Sequence, residues 1–249
     1  ASPARVVVLV LSDVVGDRLD VIGSGPAAAD PSTYADALHV LEQRGVASRC
    51  AEVARHLERG VRGEIEETPK PGDVRLKGVE TTIIGSRATA VGAARAWALG
   101  CGFEVVDVNA EVVGESAAVG RALARRALDH GGRAAAWIIG GETTVSGVTP
   151  GALGGPAQEL ALAGAIELEG AARSMLVSFA TDGIDGPTSS AGAWVTGETV
   201  AAMRRKGLDA PAALASHQSH RALEASSSLI TTGPTGTNVN DIGVLLVYS

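Results

Sequence analysis

The chain has 249 residues, 45% of them apolar and only 3% aromatic, so a core of Ala, Val, Leu and Ile must fill one large α/β domain or two small ones. Its net charge of −7 argues against nucleic acid, which favours a basic stripe, but not against an anionic substrate met by single arginines or loop dipoles. Cys50 and Cys101 form no metal-ligand spacing or disulfide framework, so a reduced cytoplasmic setting is the default; no membrane-length apolar run and no signal peptide is visible.

The chain opens at Ala1, its only methionines are Met175 and Met203, and Val6 to Leu11 is an all-apolar run typical of a strand covered on both faces. Such a strand needs neighbours and covering helices, so a preceding segment is expected to have been removed or to belong to another chain. Ser12-Asp13-Val14-Val15-Gly16-Asp17 and Gly23-Ser24-Gly25-Pro26 follow as an acidic, glycine-bearing loop. Ser32 or Thr33 then caps a helix ending near Gly45, and a second short helix covers Arg49 to Glu58.

Lys70-Pro71-Gly72-Asp73 is the linker candidate, and beyond it strands and helices alternate. Thr81 to Ile84 reads as a strand, and Ser86 caps a helix that ends at Gly100. Phe103 to Val108 is the next strand, and Ser116 caps a helix to His130 closed by Gly131-Gly132. Ala135 to Ile139 leads into the loop Gly140 to Thr144. Pro156 opens a helix running to about Leu168, after a glycine loop whose free amides make a natural anion site. Met175 to Phe179 is a buried strand. Thr196 to Lys206 and Pro211 to Ala225 read as two helices, Leu229 to Thr232 enters a glycine-rich loop, and Val244 to Val247 is the last strand. Alternation of this length predicts parallel pairing with helices on both faces.

Four loops follow apolar runs: Asp13 to Gly25, Gly140 to Thr144, Thr181 to Thr188 and Gly233 to Asp241. In an open α/β sheet such strand ends are where ligands bind. Together they offer Asp13, Asp17, Glu142, Asp182, Asp185 and Asp241 with many hydroxyls and amides. Hard oxygens of this kind suit Mg²⁺, and the inventory fits a phosphate-handling cleft better than a hydrolase triad. The same Asp and Gly residues also suit plain turns. There is no G-x-x-x-x-G-K-[ST], a dinucleotide fingerprint after Gly23 is broken by Ala28, and His217 with His220 lacks partners for a zinc site.

Leu11 to Asp17, Ile22 to Pro26 and Asp30 to Thr33 resemble the type-2 glycerate kinase family. So do Gly140 to Val145, Thr181 to Thr188 and Thr232 to Asp241, which belong to its C-terminal MOFRL module. The resemblance implies two Rossmann-like, three-layer α/β domains with mostly parallel sheets and the site in the cleft between them. Residues 1–75 would be the C-terminal part of the first domain, only partly present, and 76–249 the second. It also implies phosphorylation of D-glycerate, or a related small hydroxy acid, with ATP and Mg²⁺. Asp182 and Glu142 would be catalytic, Asp13, Asp17 and Asp185 would hold the metal, and Ser12, Ser24, Gly25, Thr143, Glu159, Thr181, Gly236, Thr237 and Asn238 would bind substrate and nucleotide.

This sequence departs from the family at several positions. A Gly-Gly-Arg-Asn-Gln-Glu block reads Gly154-Gly155-Pro156-Ala157-Gln158-Glu159, so proline replaces a cation assigned to the phosphate or the substrate carboxylate. Losing such a donor commonly costs roughly two decades in rate. Ser189 stands for an aspartate, His217-Gln218 stands for an Asn-Asp pair, and the family's catalytic lysine precedes Val6. The alternatives are a catalytically silent or repurposed subunit and a hydroxypyruvate reductase. Partners expected are the small-molecule substrate, the nucleotide, a second chain carrying the missing half, and a second copy in a homo-oligomer, with no nucleic acid and no membrane.

Overall fold

The protein is described by a computed structural model covering residues 4–130 and 133–249. Two compact units emerge among the described residues, one within 4–10 and 14–84, the other within 11–13, 85–130 and 133–249. Their division falls after Ile84. The expected closure of a helix at Gly131-Gly132 lies outside the described residues.

In the first unit, β1 (Val6–Ser12) pairs with β2 (Val79–Ser86) in a two-stranded sheet, and α1 (Tyr34–Gln43) packs on α2 (Ala51–Val61). Thr33 caps α1 in a capping box with Asp36, which satisfies two otherwise orphaned amides. The ring of Tyr34 lies on Gly60 of α2, where an added Cβ would come within 2.2 Å of it. The coverage expected over both faces of β1 is not found. Val7 and Leu9 are 60% and 64% exposed, and Val10 and Ala54 are this unit's only fully buried apolar side chains among the described residues. The reason is physical: one pairing strand and no helix over that face leave alternate side chains in water.

The second unit is built on a six-stranded sheet in the order β3-β4-β8-β5-β6-β7. Its strands are β3 (Glu104–Glu115), β4 (Ala135–Thr144), β5 (Ser174–Ala180), β6 (Gly192–Thr196), β7 (Leu229–Ile230) and β8 (Asp241–Val247). Its helices are α3 (Arg87–Gly100), α4 (Ser116–Leu128), α5 (Pro156–Glu167), α6 (Thr199–Arg205), α7 (Ala210–Ala215) and α8 (Ser219–Ala225). The period-2 alternation of β4 and β8 divides the core. Ala136, Ile138, Ile242 and Leu246 face Val91 and Ala98 of α3. Ala135, Trp137, Leu245 and Val247 face the cluster formed with α4 and α5. Three layers result. Helix α5 is buried from Ala157 to Ala165 and carries no polar stripe, as befits a helix enclosed on all sides.

The α/β class is as expected, but the pairing differs from mostly parallel. Within the six-stranded sheet only β3 and β4, joined through α4, run parallel; β4–β8, β5–β8, β5–β6 and β6–β7 are antiparallel. No helix separates β5 from β6, so the chain simply turns back, and β8 inserts between β4 and β5 in the opposite sense. The loop expected at Gly140 to Thr144 belongs to β4 itself. A Cβ at Gly141 would meet Val112 O at 1.9 Å, so glycine is what lets β3 and β4 stay paired there. Ser116 begins α4 rather than capping it, and its hydroxyl donates to Thr144 O and Thr143 Oγ1. The helix expected over Pro211 to Ala225 is two, broken where His217 adopts φ 54°.

Candidate active site

At the edge where β4 and β5 end and β8 begins, the loop residues of the second unit join in one hydrogen-bonded network. Asn240, just before β8, has φ 67° and is 8% exposed. Asparagine tolerates this left-handed backbone better than most residues because its short polar side chain bonds locally. Its amide accepts from Arg87 Nη1 at 3.0 Å and donates to Glu142 Oε2 at 3.4 Å, while its own N–H donates to Asn238 Oδ1 at 3.1 Å. Asn238 in turn donates to Asp13 Oδ2 at 3.5 Å. Thr181 ties in the loop after β5, donating to Asn240 O at 2.7 Å and accepting from Val239 N at 2.9 Å. Asp182 accepts from Ile184 N through Oδ1 at 2.9 Å, and its carbonyl receives Thr235 N at 3.0 Å.

Between these loops lies Asp241, paired in register with Gly141 of β4 and Ala180 of β5. Burial pushes its carboxyl up to about 7, and the neighbouring charges of Asp185, Glu142 and Asp182 add to the push. Four carboxyls therefore crowd one sheet end, and one of them holds its proton near neutrality.

Asp185 is 2% exposed, and its oxygens are already engaged. Oδ1 accepts from Ala157 N at 3.0 Å; Oδ2 accepts from Gln158 N at 2.8 Å and from Gln158 Nε2 at 2.9 Å. It caps α5 from a distant part of the chain, because Gly155, at the cap position itself, has no side chain to do so. The anion expected at this helix N-terminus is thus the protein's own. Burial raises the Asp185 pKa, opposed by these donors. Buried, and with three donors of α5 already on its two oxygens, Asp185 serves the helix start in place of the metal-ligand role expected of it. Among the described residues, no group of three or more His, Cys, Asp or Glu is arranged to hold a metal ion.

The next turn of α5 is equally occupied. Gln158 donates to Asp185 and to Thr188 Oγ1, so its Oε1 accepts from His220 Nδ1 at 2.8 Å, which puts the proton on that nitrogen. Glu159 is 6% exposed, with its oxygens 3.0 and 3.2 Å from His217 Nδ1. Burial raises its pKa, and the histidine opposes the rise. Pro156 takes the first helical position and offers no charge.

Of the residues singled out from sequence, Asp13, Glu142, Thr181, Asp182 and Asn238 come together in the network. Ser12 is buried with an unpartnered hydroxyl, and Thr143 is buried against Ser116. Gly236 and Thr237 lie on the loop that Thr235 anchors to Thr181 O at 2.6 Å. Glu159 and Asp185 serve the start of α5. Asp17, Ser24 and Gly25 belong to the first unit, where all three adopt positive φ. Sequence reasoning missed Arg87 and Asn240 and gave Asp241 no role. A polar residue wedged between a glycine-rich loop and an apolar strand was the available signal for Asn240; Arg87 carried none.

Comparison with known proteins agrees with this architecture. Residues 135–241 match the MOFRL family, and residues 1–58 match a domain of unknown function, DUF4147. The chain is 42% identical over 254 residues to the D-glycerate 2-kinase of Thermotoga maritima, which spans 98% of this chain and 57% of that protein. A crystal structure of glycerate kinase from Thermotoga maritima matches with a TM-score of 0.85 at 41% identity, over 99% of this chain and 58% of that one. The glycerate kinase of Macaca fascicularis is 32% identical over 298 residues, covering 99% of this chain and 73% of that protein. The chain thus spans less than two thirds of the Thermotoga relative. Because the likeness runs along almost its entire length and extends to the path of the backbone, this chain belongs to the glycerate kinase family and carries its MOFRL module.

Proposed function

We propose that the chain is part of an ATP-dependent kinase that phosphorylates D-glycerate, or a related small hydroxy acid, on a hydroxyl. The observation that carries this is the run of hydrogen bonds from Asp13 through Asn238 and Asn240 to Glu142, with Thr181 and Asp182 tied to the same loop. Phosphoryl transfer asks a protein for positioned donors and acids more than for a nucleophile of its own. In this reading the substrate hydroxyl gives its proton to Asp182 as its oxygen bonds to phosphorus and the bond to the ADP oxygen breaks. Glu142 and Asn240 hold the loop against which the reactants lie. Magnesium would arrive on the nucleotide phosphates, as it usually does, and Asp13 is an exposed carboxylate of the network able to share it.

The names of the relatives support the kinase reading, and the free, exposed Cys50 and Cys101 suit a reducing setting such as the cytoplasm. A coupled ADP-release assay with D-glycerate, run on the complete protein, tests it. Turnover that falls about a hundredfold or more in Asp182→Asn is the expected result, and an inactive parent sinks the reading.

Pro156 and the sealed N-terminus of α5 favour a second reading, a family member that binds without turning over. Nucleotide binding without ADP release would mark that case. The uncovered side of β1, with Val7 and Leu9, is where the rest of the first α/β domain would pack, on this chain or on a second one. Co-purification with a separately expressed N-terminal half would reveal such a partner.

A further inference from the structure

The sheet end described above is rich in acids, and an oxyanion can enter it only against positive charge. One cationic side chain belongs to the network. Arg87 opens α3 directly after the Ser86 cap and is 7% exposed. Its stem passes over β4 at Gly140, where an added Cβ would lie 3.0 Å from Arg87 Cγ and 2.5 Å from Val91 Cγ2. The single hydrogen bond of the guanidinium runs from Nη1 to Asn240 Oδ1 at 3.0 Å. Nε is buried with no partner, and among the described residues no carboxylate is close enough to form an ion pair with it. Glu142 is reached only through the Asn240 amide.

A buried guanidinium without a direct counter-charge is costly unless something supplies the missing anion. With Nη1 pinned, the Nε–Nη2 edge has no partner among the described residues, and that edge is the fork that fits a carboxylate or a phosphate with two parallel hydrogen bonds. The bland alternative is a core arginine whose charge Glu142 and Asp241 offset at second hand. It explains the burial but not the unpaired Nε.

We propose that Arg87 is the oxyanion-binding cation of this site, with Asn240 holding the guanidinium so that its free edge meets a carboxylate or phosphoryl oxygen of the bound reactants. This rests on the phosphotransfer reading above and deepens it. It gives the chain a charge that Pro156 does not provide.

The test is a pair of calorimetric titrations, inorganic phosphate and D-glycerate separately, into the chain and its Arg87→Gln and Arg87→Lys variants. Arg87→Gln should weaken one ligand by about tenfold or more, and Arg87→Lys should keep an intermediate affinity because a point charge remains without the fork. The ligand that is lost identifies the oxyanion, carboxylate or phosphoryl. Equal binding by parent and Arg87→Gln overturns the proposal, as does failure of the parent to bind either ligand. If Arg87→Gln does not fold, Arg87→Lys decides alone, and parental affinity in it overturns the proposal. Turnover by the complete protein separates the two ideas. An inactive protein whose chain still loses binding on substitution keeps the Arg87 site and sinks the kinase; an active one with unchanged KM and kcat in Arg87→Gln does the reverse.

Discussion

Asp185 shows how far a residue's type can mislead about its work. As an aspartate in a glycine-rich strand-end loop it has the look of a ligand, yet its oxygens cap α5. Replacing it with alanine strands two buried amides, so the chain should lose about 3 kcal/mol in urea unfolding, with activity falling only as the fold does. Asp241 is the converse, an acid with no assigned role whose surroundings make it titrate near neutrality. Its folded pKa of about 7 lies above the unfolded carboxyl value, so the folded state binds the extra proton between those values. The stability it contributes is complete below the unfolded pKa and is lost as pH rises toward and through about 7. In Asp241→Asn that decline should flatten, which chemical denaturation at a series of pH values would measure. A slope unchanged by the substitution would put the titration elsewhere.

Among the elements, small residues set the distances. Helices α4 and α5 touch where Gly120 meets Leu160, and a Cβ there would lie 2.1 Å from Leu160 O. Gly120→Ala should therefore cost about 1–3 kcal/mol, as overpacked contacts do. Gly92, inside α3, has nothing within 4 Å of an added Cβ. Gly92→Ala should stabilise by about 0.5–1 kcal/mol through helix propensity alone, so thermal melts of the two variants should shift in opposite directions. Element ends carried clear signals where chemistry was local: Thr33 and Ser86 cap their helices as the sequence predicts. They failed where the cause was distant. Gly140 to Thr144 looks like a loop because its glycines are read alone, and becomes strand because β3 and β8 lie beside it. Residues Gly192–Thr196 are too few to announce a strand, and pairing with β5 and β7 makes them one.

For the whole molecule, the informative feature is the uneven core. The second unit closes two hydrophobic clusters on either side of its sheet, whereas the first leaves much of β1 in water. Exposed apolar strand surface of this kind promotes association. Val7→Thr with Leu9→Thr should lower light scattering of the concentrated chain without lowering its unfolding midpoint. A drop in midpoint would mean that those side chains are already buried by something.

By itself the sequence determined the α/β class, the caps at Thr33 and Ser86, most of the strand-end loops and the family blocks, because each rests on periodicity, turn chemistry or a contiguous string of residues. Asp13, Glu142, Thr181, Asp182 and Asn238 were legible as polar loop residues for the same reason, and the fold joins them in one network. Tertiary structure alone decided that the sheet is mostly antiparallel in its second unit, that Asp185 is spent on a helix, and that Arg87 reaches Asn240 across 153 positions of chain. Those outcomes depend on which atoms meet after the chain has folded. Hydrogen-bond partners that far apart leave no local pattern to read.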